Sequence, residues 1–497
     1  MGVVDVLRRL AWVTGLAIMA TSLSLLAAGI YGLIRYDFGY SYEQWPGTVM
    51  FLSGLLFIVV GWILYNVGRG ATIRQKEAIL TTVLLWLLIP LLAALPFKIA
   101  AGIPYIDAAF ESVSGWTTTG LTILTGEPSS WHGVYVPSVD EVPDTIKIWR
   151  TLMQWEGGLG IVILTIAILA PPGVSAAVLY LAEGKFERLE ASFKRTAVLM
   201  AVIYLILTGI GILLFVSAGT SVYDAVNHAM TGIATAGFSP HSSSLGYYMD
   251  KPGVLFAGMI VMFLGAVSFS DHYNMLRGNF SQVFTSIELR AQLSIIALSI
   301  LFSVMAWKLY SSFHNSYSLL QVVFHVVSAF ATAGFQAGNL HSTPEAYKLL
   351  LAVLSIIGGS AFSTAGGIKV LRLIIAAKAI SMESDLLTHP PGYVPRRTVG
   401  KYFLDETLVR RTLATVAAFI GAYTLLVMTL ALVAPQYDLG DIIFEVASAM
   451  GNVGLSTGIS AASAAVSVKL ILIAAMLLGR LEVITYLVVI RMLYSKK

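Results

Sequence analysis

The sequence predicts an all-α membrane protein, and three observations support this fold class. Of the 497 residues, 57% are hydrophobic and 12% are charged, about half the charged share of a soluble protein. Several apolar runs reach the roughly 20 residues that a helix needs to cross the hydrocarbon of a bilayer. One stretch of sequence also occurs four times, which indicates a single structural unit used repeatedly.

The four copies of this stretch align without gaps. The copies are residues 110–121, 227–238, 324–335 and 444–455. The last four residues of each copy follow one pattern: Thr or Asn, then any residue, then Gly, then Leu or Phe. Small residues recur wherever membrane helices pack closely, but close packing does not explain four gapless matches with one ending. The last shared column contains Gly120, Gly237, Gly334 and Gly454.

The apolar runs predict ten transmembrane helices with four re-entrant half-helix and loop segments. Each copy lies in a segment too short to cross, because ten or eleven helical residues extend roughly 15 Å. The predicted spans are residues 10–34, 49–65, 78–97, 151–170, 197–217, 253–275, 289–310, 349–377, 411–433 and 466–493. The predicted units are two extra N-terminal helices (1–70) and four pore repeats (71–185, 186–285, 286–400 and 401–497) in a pseudo-fourfold arrangement.

Charge supports this topology and excludes other classes. With the N-terminus in the cytoplasm, 22 of the 31 Lys and Arg residues fall inside and eight outside, leaving Arg480 within a span. Positive charge is expected inside, and the four half-helices are then on the outer side. A net charge of +4 is small for a nucleic-acid binder, and the absence of cysteine excludes disulfides and thiolate metal sites.

Four short segments at membrane depth imply a cavity, because irregular backbone is tolerated there only inside protein or along water. Glycine lets successive carbonyls face one way, and rings of carbonyls replace the hydration shell of an alkali cation. The half-helices also point their partly negative C-terminal ends inward. This arrangement favours one pathway for a cation.

A second column of the repeat contains Glu111, His228, His325 and Glu445. Two histidines and two carboxylates could form a metal site. However, no two of them share a helix at ligand spacing. We expect hydrogen bonds that brace the glycine segments from behind, with a metal site as the less favoured alternative.

Three longer motifs resemble those of the TrkH/KtrB superfamily of potassium transport subunits, and the resemblance covers the whole chain. They are residues 150–160 (RTLMQWEGGLG), 224–229 (DAVNHA) and 358–369 (GGSAFSTAGGIK). The two extra N-terminal spans favour the TrkH branch.

The resemblance implies passage of K⁺, a homodimer in the plasma membrane of a prokaryote, and a cytosolic regulatory ring of the TrkA type that binds nucleotide. This chain has no Walker or dinucleotide motif, so no nucleotide is expected on the chain itself. In related plant transporters, serine at the first filter position goes with sodium, so Gly120 favours potassium. The implied K⁺ filter consists of Thr118, Thr119, Gly120, Thr235, Ala236, Gly237, Thr332, Ala333, Gly334, Asn452, Val453 and Gly454.

Two features within spans suggest a gate. Four glycines between residues 358 and 367 would each cost a helix about 1 kcal/mol relative to alanine, so we expect a loop there that obstructs the pathway; close helix packing is the alternative. An arginine at a helix centre is costly and usually functional; Arg480 is either a barrier below the filter that tethers this loop, or a partner of a carboxylate such as Glu482. The predicted gate residues are Gly358, Gly359, Ser360, Ser363, Thr364, Gly366, Gly367 and Arg480.

The leading interpretation is a gated, channel-like K⁺ uptake subunit that is not an enzyme. The alternative is a symporter that couples K⁺ to H⁺ or Na⁺, for which Glu156 and Glu482 are the clear intramembrane carboxylates. An intramembrane enzyme would need a nucleophile–base pair or a metal cluster at membrane depth. This class is disfavoured because the metal-binding motif His-Glu-x-x-His does not occur.

Overall fold

The computed structural model describes residues 3–37, 44–68, 75–160, 163, 189–190, 192–390, 393–400 and 402–494. Within these residues, six helices are long and apolar enough to cross a membrane, and two bent helix pairs bring the number to eight. The six are α1 (Val3–Asp37), α2 (Gln44–Gly68), α3 (Gln75–Ala101), α6 (Phe193–Ser217), α11 (Ile287–Leu309) and α16 (Glu406–Val433). The chain is an all-α, multi-pass membrane protein.

A short helix follows each of α3, α6, α11 and α16. These four pore helices are α4 (Tyr105–Trp116), α7 (Val222–Ile233), α13 (Leu319–Phe330) and α17 (Leu439–Met450). Each has 12 residues, or roughly 18 Å at 1.5 Å per residue, which is too short to cross. Most of their residues are buried. The predicted half-helices are therefore confirmed.

Side-chain caps mark where two of the four pore helices begin. At the start of α13, the Ser318 hydroxyl accepts a hydrogen bond from the backbone N–H of Gln321, whose side chain accepts one from the N–H of Ser318. This reciprocal pair satisfies two N–H groups that the first helical turn leaves free. The Ser221 hydroxyl caps α7 by accepting from the N–H of Asp224 at 3.0 Å.

A second helix returns after each pore helix, and three of the returning spans are broken within the described residues. The helices are α5 (Asp144–Leu159), α8 (Pro252–Ala266), α14 (Glu345–Ile357) and α18 (Val466–Leu481). The chain continues after α8, α14 and α18 as α9 (Phe269–Leu276), α15 (Val370–Thr388) and α19 (Val483–Tyr494). The bends are 101° between α8 and α9 and 92° between α18 and α19.

Two of these breaks were not predicted, and they interrupt spans that the sequence predicts as single helices. The third break is the loop that the sequence predicts. Residues 253–275 and 466–493 are not continuous helices, because the backbone turns at Val267 and at Glu482, which has a φ of 64°. The predicted loop within 349–377 is present, since no helix covers residues 358–369. In the first repeat, α5 begins seven residues before the predicted start at Thr151 and ends at Leu159. The next residue, Gly160, has a φ of 98°.

The N-terminal helices α1 and α2 pack closely through glycines. A Cβ built on Gly15, Gly29 or Gly61 would lie under 3.0 Å from atoms of the facing helix, the small-residue contact typical of membrane helices. On the outer face of α2, Leu56 and Trp62 are exposed, as expected for side chains that meet lipid.

The remaining elements are short. They are α10 (Phe280–Phe284), α12 (Ser311–Ser316), 3₁₀ turns at Ser244–Tyr248 and Leu340–Ser342, and two antiparallel ribbons that pair β1 (Glu127–Pro128) with β2 (Tyr135–Val136) and β3 (Thr398–Val399) with β4 (Tyr402–Phe403). In the outer ribbon, donation from the backbone N–H of Ser138 and from the Tyr135 hydroxyl lowers the pKa of Glu141. Several predictions lie outside the described residues: most of 160–170 and the basic residues Arg69, Arg74, Lys185, Arg188, Lys401, Lys496 and Lys497.

Candidate functional site

Each pore helix ends in the same backbone turn, four residues before its repeat glycine. Two residues per turn adopt positive φ. The first of these residues is Thr or Asn, with φ values of 57° at Thr118, 51° at Thr235, 51° at Thr332 and 52° at Asn452. The second is the repeat glycine, with φ values of 88° at Gly120, 78° at Gly237, 74° at Gly334 and 99° at Gly454. The residue between them donates its N–H to the helix, as from Thr119 to the carbonyl of Ser114 at 2.9 Å. The four turns are equivalent in structure as well as in sequence.

The four glycines form a closed ring in chain order, which we call the glycine ring. A Cβ built on each glycine would lie under 3.0 Å from the carbonyl oxygen that precedes the next repeat's glycine: Gly120 against Ala236, Gly237 against Ala333, Gly334 against Val453, and Gly454 against Thr119. Only a residue without a side chain permits this approach. All four glycines also line one cavity of about 510 Å³.

Residues 358–369, which we call the repeat-three loop, lie against the glycine turns. The Thr364 hydroxyl is 2.9 Å from the carbonyl of Ile233 and 3.3 Å from the Thr235 hydroxyl. The N–H of Gly366 donates to the Thr332 hydroxyl at 2.8 Å. The loop therefore contacts Thr235 in the second repeat and Thr332 in the third. Each of these residues lies two positions before the glycine of its repeat.

Helix α11 and the break after α8 hold the other part of the loop. The carboxylate of Glu288 accepts from the N–H of Ala361 at 2.8 Å, and the Gln292 amide donates to the Ser360 hydroxyl at 2.8 Å. The N–H of Ser360 also donates to the carbonyl of Ala266 at 3.0 Å. The predicted gate residues from Gly358 to Gly367 thus lie in one segment that these contacts hold in place. Within it, Gly359 packs on Ala266, and the Ser363 hydroxyl donates to the carbonyl of Ser360. Gly358 and Gly367 have positive φ values of 72° and 74°.

Arg480 lies in the last turn of α18, directly before the break. Its guanidinium donates to the Thr118 hydroxyl at 3.2 Å and to the carbonyl of Gly157. The same group lies 4.8 Å from the centre of the Trp86 ring. Arg480 therefore reaches from the fourth repeat to the first. Thr118, whose hydroxyl it contacts, occupies the same position in its repeat as Thr235 and Thr332, which the repeat-three loop contacts.

Comparison with known proteins identifies a family and several relatives of this chain. Residues 47–497 match the TrkH family, described as cation transport proteins. This chain belongs to the TrkH family. The "Trk system potassium uptake protein TrkH" of Salmonella typhimurium is 32% identical over 501 residues, covering 97% of this chain and 98% of that protein. An uncharacterized cation transporter of Methanocaldococcus jannaschii is 30% identical, covering 94% of this chain and 93% of that one.

A solved family structure also matches. The crystal structure of the potassium transporter TrkH from Vibrio parahaemolyticus covers 98% of both chains, with a TM-score of 0.79 and 27% sequence identity. The TrkH family is one of cation transporters rather than enzymes.

The second column of the repeat braces the turns, as the sequence predicts. Glu445 accepts from the N–H groups of Thr457 and Ser460, both at 3.0 Å. The ring nitrogen of His325 accepts from the N–H of Ala337 at 3.0 Å. The corresponding contacts are Glu111 with the N–H of Ile123 at 3.0 Å and His228 with the Ser239 hydroxyl at 2.9 Å. Among the described residues, no three His, Asp or Glu side chains are placed to hold a metal ion.

Sequence reasoning missed the role of Gln154. Its side-chain amide donates to the carbonyl of Ala236 at 2.7 Å and accepts from the N–H of Phe238 at 2.9 Å. The first repeat therefore holds the residues on both sides of Gly237. The only signal in the sequence was the position of Gln154 within the motif of residues 150–160.

Buried ion pairs between repeats were also missed. Lys469 lies 2.5 Å from Asp107, joining the fourth repeat to the first, and Lys348 lies 2.7 Å from Asp441, joining the third to the fourth. These side chains are at most 3% exposed. No local sequence pattern predicts these pairs, because each joins residues that are more than 90 positions apart in the sequence.

Proposed function

We propose that this chain is a potassium uptake subunit that conducts K⁺ through a carbonyl filter at the centre of the glycine ring. Closure of the ring carries the proposal: four glycine turns, each against the carbonyl of the next, surround one axis. Carbonyl rings of this kind replace the hydration shell of K⁺. The filter consists of residues 118–120, 235–237, 332–334 and 452–454.

The names of the relatives from Salmonella typhimurium and Vibrio parahaemolyticus, both of which specify potassium, support potassium as the ion. Glycine at position 120 agrees with this choice. The carbonyl of Ala236 accepts a hydrogen bond from the side-chain amide of Gln154. A carbonyl oxygen has two lone pairs, so this hydrogen bond leaves one for a cation.

The repeat-three loop and Arg480 form the gate in this proposal. The loop contacts hydroxyls of Thr235 and Thr332, and Arg480 contacts that of Thr118. Three of the four filter segments therefore meet a gate element at the same position. A guanidinium beside the filter also repels an entering cation, since like charges a few ångströms apart repel strongly in a protein.

The proposal extends to the assembly. The working unit is a homodimer in a prokaryotic plasma membrane, with its N-terminus in the cytoplasm and a cytosolic, nucleotide-binding ring of the TrkA type that controls the gate. The resemblance of the whole chain to TrkH subunits supports these proposals. The excess of positive charge on the predicted inner side supports only the cytoplasmic position of the N-terminus.

The alternative, a symporter coupled to H⁺ or Na⁺, needs a carboxylate able to exchange a proton or ion. Glu156 accepts from the Ser24 hydroxyl at 2.9 Å, and Glu482 pairs with Arg372 at 2.5 Å. Both candidates are engaged away from the glycine ring, and we therefore favour conduction.

Reconstituted vesicles test the proposal. Wild type with its cytosolic partner should pass K⁺ down its gradient, with a reversal potential that follows K⁺ alone, and Gly120→Ser should admit Na⁺. A reversal potential that moves with the H⁺ or Na⁺ gradient would support the symporter. If wild type passes neither ion, or if Gly120→Ser behaves as wild type, the filter assignment is wrong.

A further inference from the structure

Glu482 stands at the 92° break between α18 and α19 with a φ of 64° and a ψ of 138°. Residues with a side chain rarely adopt this conformation, and it persists where surrounding contacts impose it, often at functional sites. Glycine would take it without strain. The presence of glutamate here therefore indicates a use for its carboxylate.

The carboxylate of Glu482 is bound by Arg372, at 2.5 Å, and the two side chains are 30% and 18% exposed. Arg372 lies in the first turn of α15, immediately after the repeat-three loop. Its other terminal nitrogen donates to the carbonyl of Ile368, within that loop, at 3.2 Å. One guanidinium thus joins the end of the loop to the break in the fourth repeat.

The two elements joined in this way are the two parts of the proposed gate. The repeat-three loop contacts Thr235 and Thr332, while Arg480, two residues before Glu482, contacts Thr118. If the loop moved together with the first turn of α15, which carries Arg372, while the break stayed in place, the pair would be broken. A partly buried carboxylate would then lack its partner, which is costly. If both elements moved together, the pair would stay intact.

We propose that the Arg372–Glu482 ion pair is a coupling element that makes the repeat-three loop and the α18–α19 break open together. This inference rests on the proposed function, because it requires that both elements gate the pathway. Arg372 and Glu482 act as positioning residues: their ion pair fixes the end of the loop relative to the break that follows Arg480. Among the contacts of the described residues, neither side chain bonds to the glycine ring. Coupling between sites typically changes an equilibrium by about 5- to 150-fold.

A double-mutant cycle on basal K⁺ flux tests the coupling, using the full chain in vesicles without its cytosolic partner. Arg372→Gln and Glu482→Gln should each raise basal flux at least about fivefold. The double variant should give no more flux than either single variant, because both remove the same contact. The charge swap Arg372→Glu with Glu482→Arg should bring basal flux back toward wild type. Single effects that multiply in the double variant would overturn the proposal.

Two controls keep the outcome interpretable. Glu482→Gly relieves the backbone strain and loses the carboxylate; raised flux supports the coupling, whereas wild-type flux would show that the residue serves only the bend. Arg277→Gln removes a more exposed pair with Glu190 and should leave basal flux unchanged. Deleting residues 358–367 separates the two hypotheses: unchanged flux refutes the gate itself, whereas raised flux with a multiplicative cycle refutes only the coupling.

Discussion

The ammonium of Lys469 lies 2.5 Å from the carboxylate of Asp107, and both side chains are at most 1% exposed. These residues belong to the fourth and first repeats, so their contact closes the circle of repeats between the two ends of the chain. Removing one member of a buried pair leaves the other charge without its partner, which typically costs about 3–5 kcal/mol.

Lys469→Met should therefore destabilise the protein strongly, by about 3–5 kcal/mol, measured as thermal unfolding in detergent. Combining it with Asp107→Asn should recover part of the loss, because the unpaired charge is then removed. Lys98→Met changes an exposed lysine and should have little effect. Equal destabilisation by Lys98→Met and Lys469→Met would show that the ion pair is not the cause.

Thr364→Val should raise basal K⁺ flux. The variant keeps the shape of the side chain but removes the hydroxyl that contacts the carbonyls of Ile233 and Gly265. A hydrogen bond contributes about 0.5–1.5 kcal/mol, so weaker seating of the loop should increase flux roughly two- to tenfold. Thr388→Val, at an exposed site on α15, is the matched control. Flux at the wild-type level would argue against the loop as a barrier.

Arg480→Ala should increase K⁺ flux at least about tenfold, since unit charges 4 Å apart interact by about 4 kcal/mol at an effective dielectric constant of 20. Arg480→Lys retains the charge without the fixed fork of donors and should fall between wild type and alanine. Arg491→Ala, on exposed α19 surface, should match wild type. If the alanine variant changed neither flux nor ion competition, Arg480 would be structural only.

Glu445→Ala should lower the K⁺ to Na⁺ permeability ratio with less effect on total flux. The change removes the acceptor for the N–H groups of Thr457 and Ser460, so the fourth glycine turn loses its support. Glu445→Gln retains one acceptor oxygen and should keep more of the selectivity. Glu383→Ala, at an exposed position, is the control. Unchanged reversal potentials in Glu445→Ala would remove the bracing role.

The sequence alone was sufficient to find the repeat architecture. Four gapless copies located the pore helices and their glycine turns, because equivalent backbone conformations demand equivalent residues. Glycine content also located the repeat-three loop, since four glycines are unfavourable in one helical segment. The exact domain boundaries and the filter and gate roles remain predictions.

The breaks at Val267 and Glu482 could not be predicted from the sequence. Neither position is itself a glycine or a proline, the residues that usually mark a break. Glu482 adopts its strained conformation among contacts such as the pair with Arg372, which depend on tertiary structure. The partners of Arg480, Lys469 and Gln154 were missed for the same reason: spacing along a chain does not state which repeats are neighbours.

A comparison of Gly334→Ala with Gly219→Ala tests the central claim most directly. Both glycines have positive φ, 74° and 93°, so alanine is strained at each. A Cβ at Gly334 would also collide with the carbonyl of Val453, whereas no atom of the described residues lies within 4 Å of one at Gly219. In vesicles, Gly334→Ala should abolish selective K⁺ flux while Gly219→Ala retains it. Selective K⁺ flux through Gly334→Ala at the level of Gly219→Ala would contradict the glycine ring as the ion filter.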